Sequence, residues 1–121
     1  MKECPFCFPV KPVLETRQAF AIFDRYPVSK GHLLIIPRRH IQTYFDLTSS
    51  EKKEIDQLIH SGKDLIDKRF NPDGYNIGIN NGEAAGQTIF HVHIHLIPRY
   101  AGDIADPRGG VRGVIPEKRI Y

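Results

Sequence analysis

No run of apolar residues in this chain approaches the roughly 18 that a helix needs to cross a bilayer, so no membrane-spanning helix is expected. No apolar leader core follows the opening Met1-Lys2-Glu3-Cys4-Pro5 either, which points to a cytoplasmic protein. Cysteine is scarce, at 2 in 121 residues, and no disulfide framework is needed. A chain of this length folds as one domain, residues 1–121, and buries roughly two thirds of its unfolded surface. Internal repeats and low-complexity tracts are absent. Charge of one sign is not gathered into a stripe. The net charge is +3 and the pI about 9.0, yet residues 48–70 carry five Lys or Arg against five Asp or Glu. A nucleic-acid polymer is therefore not the expected partner, whereas a small anionic ligand suits a modest basic excess.

Val13-Leu14-Glu15-Thr16 and Ala19 to Asp24 read as a short hairpin, and Tyr26 to Gly31 as a turn into a third strand, His32 to Pro37. Thr48-Ser49-Ser50-Glu51 fits a capping box, with a hydroxyl first and a carboxylate three residues on. Behind it Ile55, Leu58, Ile59, Leu65, Ile66 and Phe70 recur at helical spacing up to the breaker Asn71-Pro72, which predicts one long amphipathic helix. Tyr75 to Asn80 alternates as a fourth strand, and a fifth, 91–97, follows the loop Asn81 to Gly86. Strands joined by short connections argue for an antiparallel sheet with the helix on one face, an α+β arrangement. From Ala101 to Gly113 glycines and Pro107 fall among charges, so residues 101–121 are expected to be a tail that orders on contact.

The fifth strand is the unusual one. In His91-Val92-His93-Ile94-His95-Leu96-Ile97-Pro98, imidazoles occupy every second position, where a half-buried strand ordinarily carries Thr, Lys or Glu. Residues i and i+2 of a strand lie about 6.8 Å apart, so three such rings span about 13 Å and do not converge on one ion. Division of labour fits better, with one imidazole as nucleophile and another as donor to an anion. Imidazole is mostly neutral at pH 7 and suits attack on phosphorus, while a neighbouring cationic ring can hold the phosphoryl oxygens. At the other end of the chain, Cys4-Pro5-Phe6-Cys7 has the spacing of a zinc half-site or a redox pair. A redox role would place it at a helix start after a strand, and no strand precedes it, so zinc is the better reading.

The run Gly86-Gln87-Thr88-Ile89-Phe90-His91-Val92-His93-Ile94-His95-Leu96-Ile97-Pro98-Arg99 resembles the signature of the histidine triad (HIT) family. Phe23 to Pro37 resembles the strand, turn and strand that precede the family's long helix. The resemblance implies a HIT-like fold, a five-stranded antiparallel sheet with one long helix and a short one, pairing into a larger sheet in a homodimer. It implies a nucleotide hydrolase or transferase acting at the α-phosphate, with His93 as the nucleophile that becomes nucleotidylated and His95 on the phosphoryl oxygens. Gln87 and Thr88 would lie beside the scissile bridge, and His32 matches the family's further histidine. Asp24 would accept from ribose hydroxyls, Ile22 and Phe23 would line the base pocket, and Asn80 and Gly86 would lie near sugar and phosphate.

Zinc-carrying members pair an N-terminal cysteine motif with a histidine after the third strand and with the first of the triad, which here are His40 and His91. Cys4, Cys7, His40 and His91 would then close a structural zinc site, leaving His93 free. The substrate implied is a dinucleoside polyphosphate such as diadenosine tetraphosphate, as in the fragile histidine triad branch. Nucleoside 5′-phosphoramidate hydrolysis and a nucleotide-binding regulatory module are the alternatives. Arg108 and Arg112, in a tail unlike that of either well-known branch, would reach polyphosphate or only solvate a loop.

Overall fold

In the computed structural model, which describes residues 4–8 and 11–121, five strands form one sheet. They are β1 (Leu14–Glu15), β2 (Ala19–Phe23), β3 (Leu33–Pro37), β4 (Gly74–Ile79) and β5 (Ile94–Arg99). All pair antiparallel, in the order β1-β2-β3-β5-β4, so the last strand enters the middle of the sheet. Among the described residues one α-helix, α1 (Ser49–Phe70), packs on one face, and the other helical elements are four short 3₁₀ turns. The turns are Tyr44–Asp46, Glu83–Ala85, Gly110–Val114 and Pro116–Lys118.

The ends of α1 follow from its sequence. The Thr48 hydroxyl accepts from Glu51 N–H, the Glu51 carboxylate accepts from Thr48 N–H, and Asn71 closes the helix in the left-handed region at φ 50°. Its buried stripe includes Ile55, Leu58, Gly62 and Ile66, which meet Leu33, Ile35, Ile94 and Leu96 from the sheet. Burying each such aliphatic chain contributes roughly 1.5–3 kcal/mol. Glycine at 62 lets helix and sheet close up: a Cβ there would fall 2.7 Å from Leu33 Cδ2.

Glu51 has a second function. Almost fully buried, it accepts from Arg39 Nη2 at 2.8 Å and Nε at 3.1 Å, and the guanidinium holds its carboxyl below the ordinary range. Glu51→Ala removes both the cap and the ion pair, but Arg39 is half-exposed and re-solvates. Urea unfolding should therefore register a loss of about 2 kcal/mol, nearer a lost cap than a lost buried pair.

The fifth strand starts later than its alternation suggested, at Ile94 rather than 91, and runs on to Arg99. The reason lies in β3. The ladder pairs Leu33 with Leu96 and Ile35 with Ile94, so the next partner for residue 92 would be Pro37, which has no N–H to give. Val92 N–H turns instead to the Ile41 carbonyl. At the other end Pro98 is tolerated because β3 has already stopped pairing, while β4 continues to Gly74 opposite Arg99.

The tail folds back on itself and lies partly against β4. The Arg119 guanidinium donates to the carbonyls of Asp106 and Arg108, and Arg112 donates to the Lys118 carbonyl. Gly109, at φ 88°, is required here, because a Cβ would overlap the Arg119 carbonyl. Arg108 pairs with Asp106. Arg108 and Arg112, for which polyphosphate or mere loop solvation were the two readings, both make contacts within the tail.

Candidate active site

Strand parity divides the sheet. Leu33, Ile35, Ile94 and Leu96 face α1, so Leu34, Ile36 and His95 face the other way, with Phe20 and Ile22 paired beside them. Phe6, Phe20, Leu34 and Ile36 make a second apolar cluster on that outer face, flanked by Cys4, Ile22 and Ile89. The same parity separates two residues expected to act together. Ile22 lies with the outer cluster, but Phe23 packs on α1, its ring 6.4 Å from Phe70 with the Arg69 guanidinium over it. Phe23 is partly buried against α1, on the opposite face of the sheet from Ile22.

Hydrogen-bond partners fix the tautomer of each triad imidazole. His91, fully buried, meets the Pro37 carbonyl at 2.7 Å through Nε2, so Nε2 carries the proton and Nδ1 keeps its lone pair. That Nδ1 faces Cys4 Sγ at 3.4 Å and Cys7 Sγ at 3.6 Å, and Cys7 Sγ lies 3.1 Å from His40 Nδ1. His93 places Nδ1 2.9 Å from the His91 carbonyl and must donate there, which leaves the Nε2 lone pair free. His95 receives its assignment through His32. Val28 N–H donates to His32 Nδ1 at 3.1 Å, so His32 carries its proton on Nε2 and donates to His95 Nδ1 at 2.9 Å. The remaining proton of His95 is then on Nε2, available to an acceptor. His93 and His95 are neighbours, their ring centroids 5.2 Å apart.

The donor sets can be tested against a metal. Cys4, Cys7, His40 and His91 bring their ligand atoms within 4.8 Å of one another. The S···N separations are close to the tetrahedral edge of about 3.5 Å expected from Zn–S and Zn–N bond lengths. The second contact of His91 is also of the right kind, since a ligating histidine donates its other N–H to a carbonyl or carboxylate. Burial disfavours a charged His91, which suits a neutral ligand, and burial together with Cys4 raises the Cys7 thiol. The residues fit zinc. A second group, Asp24, His32 and His95, is equally compact, but His32 is wired against a metal: Nδ1 accepts from Val28, so its one proton occupies the nitrogen that would ligate.

Asp24 Oδ2 lies 3.4 Å from His32 Nε2, while Oδ1 accepts from Tyr26 N–H. Asn80 follows the last residue of β4, and continuing the register past Ile79 and Ile94 sets it across from His93. Gly86 takes φ 94° in the loop, and Thr88 is exposed. Gln87 is placed differently from expectation. It is 2% exposed; its amide donates to the carbonyls of Gln42 and Ile89 and its oxygen accepts from Gly82 N–H, so it shapes the loop. His60 is exposed on α1 beside Asp56. Sequence reading missed three contributors: the Pro37 carbonyl, the Val28 amide and the Phe6 ring. Only Phe6 carries a side-chain signal, an apolar residue enclosed by the two cysteines.

Burial, and then the charges His93 and His32 would carry, push His95 down to about 4, with Asp24 opposing. His95 is therefore neutral in the free protein, where a cationic ring was expected. The same shift has a sign for stability. The unfolded chain binds a proton near pH 6.5 that the folded chain refuses until about pH 4, so stability is full above that window and falls as pH drops through it. Wild type should lose about 1–2 kcal/mol more than His95→Asn between about pH 7.5 and about pH 5, read by urea unfolding.

The HIT domain family model matches residues 8–102. An uncharacterised HIT-like protein of Methanocaldococcus jannaschii is 37% identical over 106 residues, 83% of this chain and 81% of its own. The bis(5′-nucleosyl)-tetraphosphatase (asymmetrical) of Schizosaccharomyces pombe is 37% identical over 101 residues, 82% of this chain and 56% of its own. The crystal structure of a Zn-bound histidine triad family protein from Mycobacterium smegmatis superposes with a TM-score of 0.76 at 31% identity, covering 85% of this chain and 79% of that one.

Proposed function

Because the chain belongs to the HIT domain family, and is a nucleotide hydrolase or transferase of it, we propose that its substrate is a dinucleoside polyphosphate such as diadenosine tetraphosphate. The observation that carries this reading is the pair of complementary tautomers, a free lone pair on His93 Nε2 beside a free N–H on His95 Nε2. His93 Nε2 attacks the α-phosphorus, and the bridging P–O bond breaks with its electron pair leaving on the polyphosphate. The imidazole becomes cationic, and the His91 carbonyl that accepts its Nδ1–H stabilises that charge. His95 donates to a non-bridging oxygen. Water then adds at phosphorus and gives up a proton to solvent, the N–P bond breaks with its electron pair returning to Nε2, and nucleoside monophosphate leaves.

The other roles follow from placement. Asp24 serves ribose hydroxyls, an acceptor-only task, with Ile22 on the base side of the same strand and Asn80 and Gly86 towards sugar and phosphate. Thr88 keeps an exposed hydroxyl for the leaving oxygen, while Gln87 and His32 act by holding the loop and His95. Zinc on Cys4, Cys7, His40 and His91 supplies no chemistry and fixes His91, whose carbonyl orients His93. The exposed edge strand β4, with Ile77 half-exposed, supports pairing of two sheets in a homodimer, and two metal-binding thiols suit a reducing cytoplasm.

Turnover of diadenosine polyphosphates and adenosine 5′-phosphoramidate, each with and without inorganic phosphate, tests the reading. Preference for diadenosine tetraphosphate, with AMP released in plain buffer, is the expected result. Faster phosphoramidate cleavage would overturn the substrate, phosphate-dependent release of ADP would overturn the acceptor, and tight binding without turnover would leave a regulatory module.

A further inference from the structure

Phe6 lies between the two cysteines, and its ring is set against the proposed nucleophile. The centroids of Phe6 and His93 are 4.9 Å apart at an interplanar angle of 63°, and those of Phe6 and His91 are 6.1 Å apart at 86°. Phe6 is 7% exposed, wedged among Phe20, Leu34 and Ile36. The turn that presents it is closed by Cys7 N–H donating to the Cys4 carbonyl. Among the described residues, His93 is held by one hydrogen bond, at Nδ1, and a ring anchored at one atom can still swing about that bond. Two aromatic neighbours limit the swing. His95 belongs to the same strand segment, whereas Phe6 arrives from the other end of the chain.

We propose that Phe6 is a positioning residue for the reaction, its ring fixing the plane of the His93 imidazole so that Nε2 faces the α-phosphorus. The assignment rests on His93 being the nucleophile. Tilted aromatic pairs at this separation are favourable beyond their buried area, and a nucleophile turned out of line loses rate while the substrate still binds. Since Cys4 and Cys7 hold the same turn, the metal cluster and the nucleophile meet at Phe6.

The test uses the zinc-loaded full chain. Phe6→Leu keeps apolar bulk in the outer cluster and removes the ring; it should lower kcat about tenfold, the upper end of an aromatic pair's worth, with KM within about twofold and zinc content unchanged. Phe6→Tyr restores a ring and should return kcat to within about twofold of wild type. ¹³C relaxation of the His93 ring at one fixed pH should show a rigid imidazole in wild type and Phe6→Tyr, and added ring motion in Phe6→Leu, with the Nδ1–H bond to the His91 carbonyl kept in all three. Phe6→Leu at wild-type kcat with full zinc would overturn the proposal, as would a kcat loss that tracks zinc or folded fraction while the His93 signals stay unchanged. His93→Asn run alongside separates the two levels. An active His93→Asn removes the nucleophile reading and this proposal with it; an inactive one beside an unimpaired Phe6→Leu removes this proposal alone.

Discussion

Replacing His93 by asparagine is expected to lower kcat by at least about 10³-fold, roughly 4 kcal/mol of barrier, while nucleotide affinity changes little. Asparagine can still donate to the His91 carbonyl that now receives His93 Nδ1–H, so the loop and the metal cluster keep their geometry. What disappears is the lone pair on Nε2, and no neighbour replaces it. His95 already accepts from His32 at Nδ1 and presents a proton on the other side, and His91 has both nitrogens committed, one to Pro37 and one towards the cysteines. Binding should persist because Asp24 and His95, the groups proposed to hold ribose and phosphate, are untouched. Equal losses in binding and turnover would instead mark His93 as a ground-state contact.

The second large effect concerns the metal cluster. Cys7→Ala is expected to abolish stoichiometric zinc and to lower the unfolding midpoint by about 10 °C, corresponding to roughly 3 kcal/mol for a domain of this size. Cys4 and Cys7 precede the first strand, whereas His40 and His91 flank the end of β3, so an ion held there would join segments that otherwise meet through the outer apolar cluster. Without an ion, His91 would keep its bond to Pro37 but have only sulfur contacts at Nδ1, and the carbonyl that orients His93 would be less firmly held. Metal analysis and thermal unfolding of the variant and the chelated wild type test this together. Full zinc in Cys7→Ala would exclude the cluster as the site.

Features that depend on neighbouring residues were legible in the chain. The helix declared itself through Thr48 and Glu51 at one end, Asn71 at the other and a stripe between them, and the imidazoles through a period of two. Features that depend on long-range pairing were not. Nothing local says that β5 inserts between β3 and β4, and the late start of β5 follows from Pro37, more than 50 residues earlier. Phe23 is an intermediate case. With Asp24 on the outer face, strand alternation alone already sends Phe23 to the helix side, and only its proximity in sequence suggested otherwise. The tail resisted reading for another reason: it is held by Arg119 and Arg112 donating to backbone carbonyls, which leaves no periodic trace.

The central claim is a covalent bond to one particular nitrogen, and rapid-quench mass spectrometry of wild-type protein mixed with diadenosine tetraphosphate tests it most directly. Fragmentation of the peptide spanning residues 91–99 locates any adduct. The expected result is one adenylyl group on His93, appearing before steady state and absent in His93→Asn. An adduct on His91 or His95, or turnover by wild type with no adduct on any histidine, would contradict it.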